Sequence, residues 1–384
     1  MKAAILAAGE GRRLRPLTNR RPKPMLPVGN RPILEHVVAA TAAAGLDGIV
    51  LVVGYERDRI QTHFGDGDDW DIDIEYAVQK RQLGTGHAVQ QVSDRIDGEF
   101  LVLNGDRIVN ADLIERMAGD VAAPAVAVTR VDQPQRYGIV DTDGDRLRDI
   151  DEKPAEPAPS EVINAGVYRF SQSVFETIER TDPDESGERT LPDALAAMAA
   201  DGDVRAVRYR GTWLDVTQLW DLLATNNDVL DRQGATTRGD IAPSAAIADR
   251  VDTASGVAVG PNSTLKRGTT LGANATIGAN VVISNAIVMA DATIADGAVI
   301  RDCIIGENAT VGPNTTITGG PAKQVVIDGE VHAEVPLGGV IGDNATLGGN
   351  VSVLPGTVLG DGSTVADNAT ISGTIEPDTE VRRG

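Results

Sequence analysis

Over the first 230 residues, apolar runs of strand length alternate with stretches whose apolar residues recur at helical spacing. Residues 3–7, 48–53, 100–103 and 125–128 are continuous apolar runs, the pattern of strands buried on both faces. Residues 32–44 put Ile33, Leu34, Val37, Val38 and Thr41 on one face of a helix. Residues 219–230 repeat that spacing through Leu219, Leu222, Leu223, Val229 and Leu230, and predict the helix that closes the first domain. Such alternation predicts an α/β fold with a mostly parallel sheet covered on both sides. Ligands bind these sheets at the carboxyl ends of the strands, so the loops after Ala7 and Leu103 are where chemistry is expected.

The period then changes. Leu265, Leu271, Ile277, Ile283 and Met289 fall six residues apart, as do Ile305, Val311 and Ile317, and then Ile341, Leu347, Val353, Leu359, Val365 and Ile371. A sustained six-residue repeat predicts a parallel β-helix, each coil having three short sides with one inward aliphatic residue per side. Glycine and asparagine between the repeats suit the corners, because both tolerate positive φ. Residues 318–340 break the register and predict a loop thrown out of the solenoid. All twelve aromatic residues lie at or before Trp220, so residues 1–230 and 240–384 are expected to be separate domains.

Composition narrows the class. With 384 residues and 41% hydrophobic content, the chain can bury a real core. It has no run of 18 apolar residues, and its start, MKAAILAAG, lacks the pattern of a secretory leader, so a cytoplasmic protein is expected. A lone cysteine, Cys303, excludes a disulfide framework. The formal charge of −21 argues against nucleic acid or anionic membrane as partners. Only six lysines stand against 29 arginines, an acidic, lysine-poor balance that suggests a salt-adapted (halophilic) protein and makes each lysine worth inspecting. His36 and His63 are expected in surface helices, and His87 in a structural role.

The first loop reads LAAGEGRRLRPLTNRRPKPMLPVGNRPILEH from Leu6 to His36. Close glycines let backbone amides approach an anion, Arg13 offers a planar fork to phosphate, and Lys23, held between prolines, offers a compact charge. Neither the P-loop nor the G-x-G-x-x-G pattern is present. The spacing of G-x-G, R-L-x-P-x-T and K-P-M-L-P resembles the signature of the sugar-1-phosphate nucleotidylyltransferases. QLGTGHA at 82–88, LNGD at 103–106, YGIV at 137–140, EKP at 152–154, NAGVY at 164–168 and WLDV at 213–216 follow in that family's order. With the solenoid, the whole chain resembles archaeal two-domain members, similar to bifunctional nucleotidylyltransferase–acetyltransferases and to glucose-1-phosphate thymidylyltransferases.

The resemblance implies a Rossmann-like nucleotidyltransferase domain followed by a left-handed β-helix that packs as a trimer. It implies transfer of a nucleotidyl group from UTP or dTTP to a sugar-1-phosphate, with release of pyrophosphate. Arg13, Lys23 and Asp106 are then the catalytic residues, and Asp106 and Asp215 the two carboxylates holding Mg²⁺. Leu6, Ala8, Gly9, Gly11, Arg13, Gln79, Gly84 and Thr85 are expected at the nucleotide, with Gln79 reading a pyrimidine edge. Gly138, Glu152, Lys153 and Asn164 are expected at the sugar phosphate. Two departures touch this set: Arg12 replaces the usual threonine, and Thr217-Gln218-Leu219 replaces the usual Gly-x-Pro after WLDV.

In the bifunctional relatives the solenoid also acetylates an amino sugar, with a histidine as general base. Here Asp296 stands at that position, and Gly319-Gly320-Pro321 replaces the substrate-binding NFR-type segment. A carboxylate of ordinary pKa near ~4 is a poor base for this task beside an imidazole near ~6.5. The only solenoid histidine, His332, lies in the register-breaking segment. The solenoid therefore reads as an assembly platform. Acetyl transfer as a second activity, and a non-catalytic sugar-nucleotide sensor or scaffold, are the alternatives.

Overall fold

The apolar runs of the first half become the spine of a nine-stranded sheet. In the computed structural model, which describes residues 1–119, 121–152, 160–184, 187–202, 204–327 and 329–382, the chain forms two compact units. The first comprises residues 1–10, 21–25 and 33–215; the second comprises residues 11–20, 26–32 and 216–384.

In the first unit the strands are β1 (Lys2–Ala7), β2 (Gly48–Val53), β3 (Ile74–Val78), β4 (Phe100–Asn104), β5 (Arg107–Val109), β6 (Ala125–Arg130), β7 (Gly138–Asp143), β8 (Arg146–Glu152), β9 (Val162–Phe170), β10 (Arg205–Arg208) and β11 (Trp213–Asp215). The helices are α1 (Ile33–Ala43), α2 (Arg57–Phe64), α3 (Gly84–Gln90), α4 (Ala111–Ala118), α5 (Ser173–Arg180) and α6 (Leu191–Asp201). The sheet order is β3-β2-β1-β4-β9-β6-β10-β8-β7. Its first four strands are mutually parallel, and β9 enters antiparallel between β4 and β6.

Strand residues alternate between two cores. Ala3, Ile5 and Ala7 pack with Leu34, Val37 and Val38 of α1 and with Leu113, Ile114 and Met117 of α4. Ala4, Val50, Val52 and Val102 pack on the other face with Val174 and Ile178 of α5 and Leu191 and Leu195 of α6. This two-sided burial is why the strand sequences are continuously apolar. One expectation is corrected here: His36 is buried, at 5% exposure, because the apolar stripe of α1 extends around it. His63 is exposed, as expected, and bonds Glu35 at 2.9 Å.

The second unit holds α7 (Leu219–Gln233) and the β-helix. Thr217 and Gln218, which depart from the family pattern, start α7: both backbone N–H groups donate to Asp221 Oδ2, at 3.0 and 2.8 Å, within a capping box. The coils stack by parallel pairing along three ladders, as in Val259↔Ile277, Leu265↔Ile283 and Thr253↔Leu271. The hexad residues form one continuous core, and Asn274, Asn280, Asn308 and Asn314 turn corners at φ between 55 and 60°.

One reading needs adjusting. Leu271 pairs with Val288, so Val288 faces the core where the six-residue register predicted Met289. The left-handed Asn285 (φ 48°) lets Val282–Val288 run as one strand, which shortens that side by a residue. Within the segment expected as a loop thrown out of the solenoid, Ala322–Ile327 pairs antiparallel with Glu330–Val335. Val326 and Val331 of this pair are 50% and 66% exposed.

Candidate active site

Three of the residues expected to carry charge, Lys23, Asp106 and Asp215, converge at the end of β4. Asp106 follows the Asn104-Gly105 turn, where Gly105 N–H donates to Leu6 carbonyl at 2.9 Å. A side chain on Gly105 would meet that carbonyl at 2.8 Å, so only glycine lets β1 and this turn lie so close. The β5–β11 ribbon pairs Arg107 with Asp215 and so delivers the second carboxylate to the same place. Lys23, on a short turn bounded by prolines, puts its Nζ 2.5 Å from Asp106 Oδ2 and 3.8 Å from Asp215 Oδ1. Burial works against the Lys23 charge, but Asp106 and then Asp215 outweigh it and raise its pKa above the ordinary lysine value.

The structure thus brings Lys23, Asp106 and Asp215 together. Two carboxylate oxygens already share one cation, and a divalent ion with oxygen preference suits such a pair. Among the described residues no group of three or more His, Cys, Asp or Glu side chains could hold a metal. A metal here would therefore complete its shell with water and substrate phosphate.

The other expected residues are distributed as follows. Ala8 is buried, its carbonyl accepting from Gln82 Nε2 at 2.9 Å, and Gly9 is exposed, with open space where a side chain would project. Gln79 is buried and donates its amide to Gly84 carbonyl at 3.1 Å, with His87 Nδ1 at 3.0 Å. Burial, then the Arg189 charge, lower the His87 pKa and favour its neutral ring. Gly84 (φ 91°) packs against Arg189 carbonyl, and Thr85 Oγ1 accepts from Leu191 N at 2.8 Å at the start of α6. Gly11 and Arg13 belong to the second unit, where the Gly11 (φ 70°) carbonyl accepts from Leu14 N and Thr18 Oγ1, both at 2.9 Å, and Arg13 is exposed.

On the sugar side, Gly138 opposes Glu152 across β7–β8, and a Cβ there would stand 2.6 Å from Glu152 Oε2. Asn164 is 4% exposed; its Nδ2 donates to Tyr168 Oη at 2.7 Å and its Oδ1 accepts from Gly166 N at 2.9 Å. Lys153 lies outside the described residues.

Three residues absent from the expected set complete the site. Trp213 Nε1 donates to Ala165 carbonyl at 2.9 Å, Tyr168 holds Asn164, and Arg107 faces Asp215 and Asp106. All lie inside or beside matched motifs, since Trp213 opens WLDV, Tyr168 closes NAGVY and Arg107 follows LNGD. A separate cavity of about 320 Å³, lined by Arg130, Arg208, Tyr209 and Arg210 among others, contains none of the expected residues.

A nine-stranded α/β sheet with a lysine bridging two strand-end carboxylates defines the class of protein. The family model for nucleotidyl transferases matches residues 2–232, and the chain belongs to that family. Residues 247–383 match the family model described as the GMPPB C-terminal domain. The bifunctional protein GlmU of Methanococcus maripaludis (strain DSM 14266) is 38% identical over 265 residues, 68% of this chain and 62% of that protein. The match thus spans less than two thirds of that relative's length. The low-salt glycan biosynthesis nucleotidyltransferase Agl11 of Haloferax volcanii is 35% identical over 66% of this chain and 73% of its own. A solved structure of a glucose-1-phosphate thymidylyltransferase from Bacillus anthracis, in complex with a sucrose, superposes with a TM-score of 0.56 at 27% identity, covering 60% of this chain and 96% of its own. A UDP-glucose pyrophosphorylase structure shares the fold, with a TM-score of 0.55 at 23% identity over 60% of this chain and 98% of its own. Members of the family generally use a divalent metal.

Proposed function

We propose that this chain transfers a nucleotidyl group from UTP or dTTP to a sugar-1-phosphate. The observation that carries this reading is Lys23 held between Asp106 and Asp215 in a member of this family. A phosphate oxygen of the sugar-1-phosphate attacks the α-phosphorus, the α–β phosphoanhydride bond breaks, and pyrophosphate leaves. The protein's task is to align two anions and to neutralise charge moving onto the leaving group. Lys23 and Arg13 supply positive charge to the triphosphate. Asp106 and Asp215 would hold Mg²⁺, which when bound would supply charge neutralisation to the phosphates. The base lies along Leu6, Ala8 and Gly9, with Gln79 reading its edge and Gly84 and Thr85 beside it, and Gly11 lets the backbone approach the phosphates. Glu152, Asn164, Gly138 and Lys153 meet the sugar phosphate.

Residues 1–230 form the catalytic domain in this reading. Residues 240–384 form a left-handed platform for a homotrimer, without acetyl transfer. Support comes from Asp296, whose Oδ1 accepts Ala279 N at 2.8 Å on an exposed corner. Asp343, Asp361 and Asp367 make the same kind of bond to a neighbouring coil, at 2.9, 2.8 and 2.7 Å, the pattern of a corner brace more than of a base. A cytoplasmic, salt-adapted enzyme without nucleic-acid or membrane partners accords with the charge of −21 and with the lack, among described residues, of a helix able to cross a membrane. The relative named UTP–glucose-1-phosphate uridylyltransferase AglF, 37% identical over 223 residues, supports UTP. The test is pyrophosphate release with Mg²⁺ at high salt across a panel of nucleoside triphosphates and sugar-1-phosphates. Release with a pyrimidine triphosphate and one sugar is expected; no release from any pair overturns the reading.

A further inference from the structure

Arg107 follows a metal-site carboxylate directly, yet its side chain reaches toward the sugar side. Its Nη1 donates to Asn164 carbonyl at 3.2 Å, and its guanidinium lies 5.6 Å from the ring centre of Trp213 and 5.9 Å from that of Tyr137. The two rings meet edge to face at 5.2 Å, so the guanidinium rests against a fixed aromatic corner. Room for it is built into the backbone: a Cβ on Gly166, at φ 78°, would come within 2.7 Å of Arg107 Nη1. The β9 register shifts between Asn164 and Tyr168, and Asn164, the last residue paired with β6 before the shift, accepts Arg107 Nη1 at its carbonyl. Burial opposes the Arg107 charge, and Asp215 and then Asp106 outweigh it.

Charge arithmetic gives this arrangement a consequence. Asp106, Asp215 and, on the sugar side, Glu152 contribute three negative charges, and Lys23 and Arg107 return two positive ones. The nucleotide-free cluster keeps one net negative charge, with Glu152 on the sugar side, and a free divalent ion entering between Asp106 and Asp215 meets two fixed cations. We propose that Arg107 is a positioning residue, a fixed counter-cation that keeps divalent-ion affinity of the nucleotide-free site low and ties the Asp106–Asp215 pair to the sugar-side strand through Asn164. The metal then enters efficiently only with the negative charge of the triphosphate. The inference rests on the proposed function, for Asp106 and Asp215 as the divalent-ion site and for the sugar-side half.

Two variants test it. Arg107→Met removes the charge and keeps the bulk; Arg107→Lys keeps the charge but lacks the planar fork. Titration of nucleotide-free protein with Mn²⁺, followed by electron paramagnetic resonance, needs no turnover. Arg107→Met is expected to bind Mn²⁺ about 10-fold or more tightly than wild type, since one elementary charge close to the ion is lost. Arg107→Lys is expected to stay near wild type. In the steady state both variants should raise KM for the sugar-1-phosphate about 10-fold, with a smaller change in KM for the nucleotide. General damage would weaken Mn²⁺ binding; hence unchanged or weaker binding by Arg107→Met overturns the counter-cation role. An unchanged sugar KM in Arg107→Lys overturns the tether. If wild type releases no pyrophosphate, the proposed function fails while the Mn²⁺ titration still decides the first half.

Discussion

Lys23→Ala should separate charge balance from catalysis. Lys23 is 15% exposed at its side chain, Asp106 31% and Asp215 6%, so the substitution leaves two poorly hydrated carboxylates facing each other. Breaking a fully buried pair costs about 3–5 kcal/mol. The partial exposure of Asp106 and screening by salt reduce that to about 1–3 kcal/mol. At about 2–4 °C per kcal/mol for a unit of this size, the melting temperature should fall by about 2–12 °C. Turnover should fall about 100-fold or more, as for loss of an electrostatic stabiliser. Adding Asp106→Asn removes one of the two carboxylates that Lys23 had faced, while Arg107 remains beside the other. The double variant should regain at least half of the lost melting temperature while activity stays low. Thermal melts and a coupled pyrophosphate assay on wild type, both single variants and the double variant complete the cycle. Wild-type turnover in Lys23→Ala, or a double variant less stable than the Lys23 single, would refute the reasoning.

Asp106→Asn and Asp215→Asn should each raise the Mg²⁺ concentration for half-maximal rate at least 10-fold, and chelator should abolish activity; full activity in excess chelator would exclude metal assistance. Gly166→Ala forces a Cβ to 2.7 Å from both Arg107 Nη1 and Asn104 Nδ2 at φ 78°, so unfolding by urea should show a loss of about 1–3 kcal/mol. Lys23, with its folded pKa raised by its carboxylates against burial, contributes stability that is complete below the unfolded value near ~10.4 and lost as pH rises through the folded one. Tyr168, pushed up to about 12 chiefly by burial, acts with the same sign, so urea midpoints should change little on account of these groups from pH 7 to about 9.5 and fall above about pH 10. Asp296→Ala should leave nucleotidyl transfer unchanged and cost at most about 1 kcal/mol, as for one corner hydrogen bond, with no acetyl transfer from acetyl-CoA before or after.

Much of the fold was legible because burial writes directly into pattern. The 48–53 run is strand Gly48–Val53 to the residue, and the helix expected over 32–44 is Ile33–Ala43. The hexad repeat located the solenoid core and missed at Met289, because a single left-handed asparagine shortens one side without any change in apolar content. His36 was misjudged because polarity alone does not reveal how wide the buried stripe of α1 is. Within the site, Lys23, Asp106 and Asp215 were recoverable from motifs, each being a charge at a loop or strand end. Arg107 was not, since its partners come from residues 137, 164 and 213, and no local spacing records a contact assembled from four segments.

Transfer of label from α-³²P UTP or dTTP into a nucleotide sugar is the most direct test of nucleotidyl transfer at the Lys23–Asp106–Asp215 cluster. With the cognate sugar-1-phosphate, wild type should give labelled nucleotide sugar and pyrophosphate in equal amounts, and Asp215→Asn should lose nearly all of the label transfer at limiting Mg²⁺. Pyrophosphate without labelled sugar, or undiminished transfer by Asp215→Asn in the presence of chelator, would contradict the account.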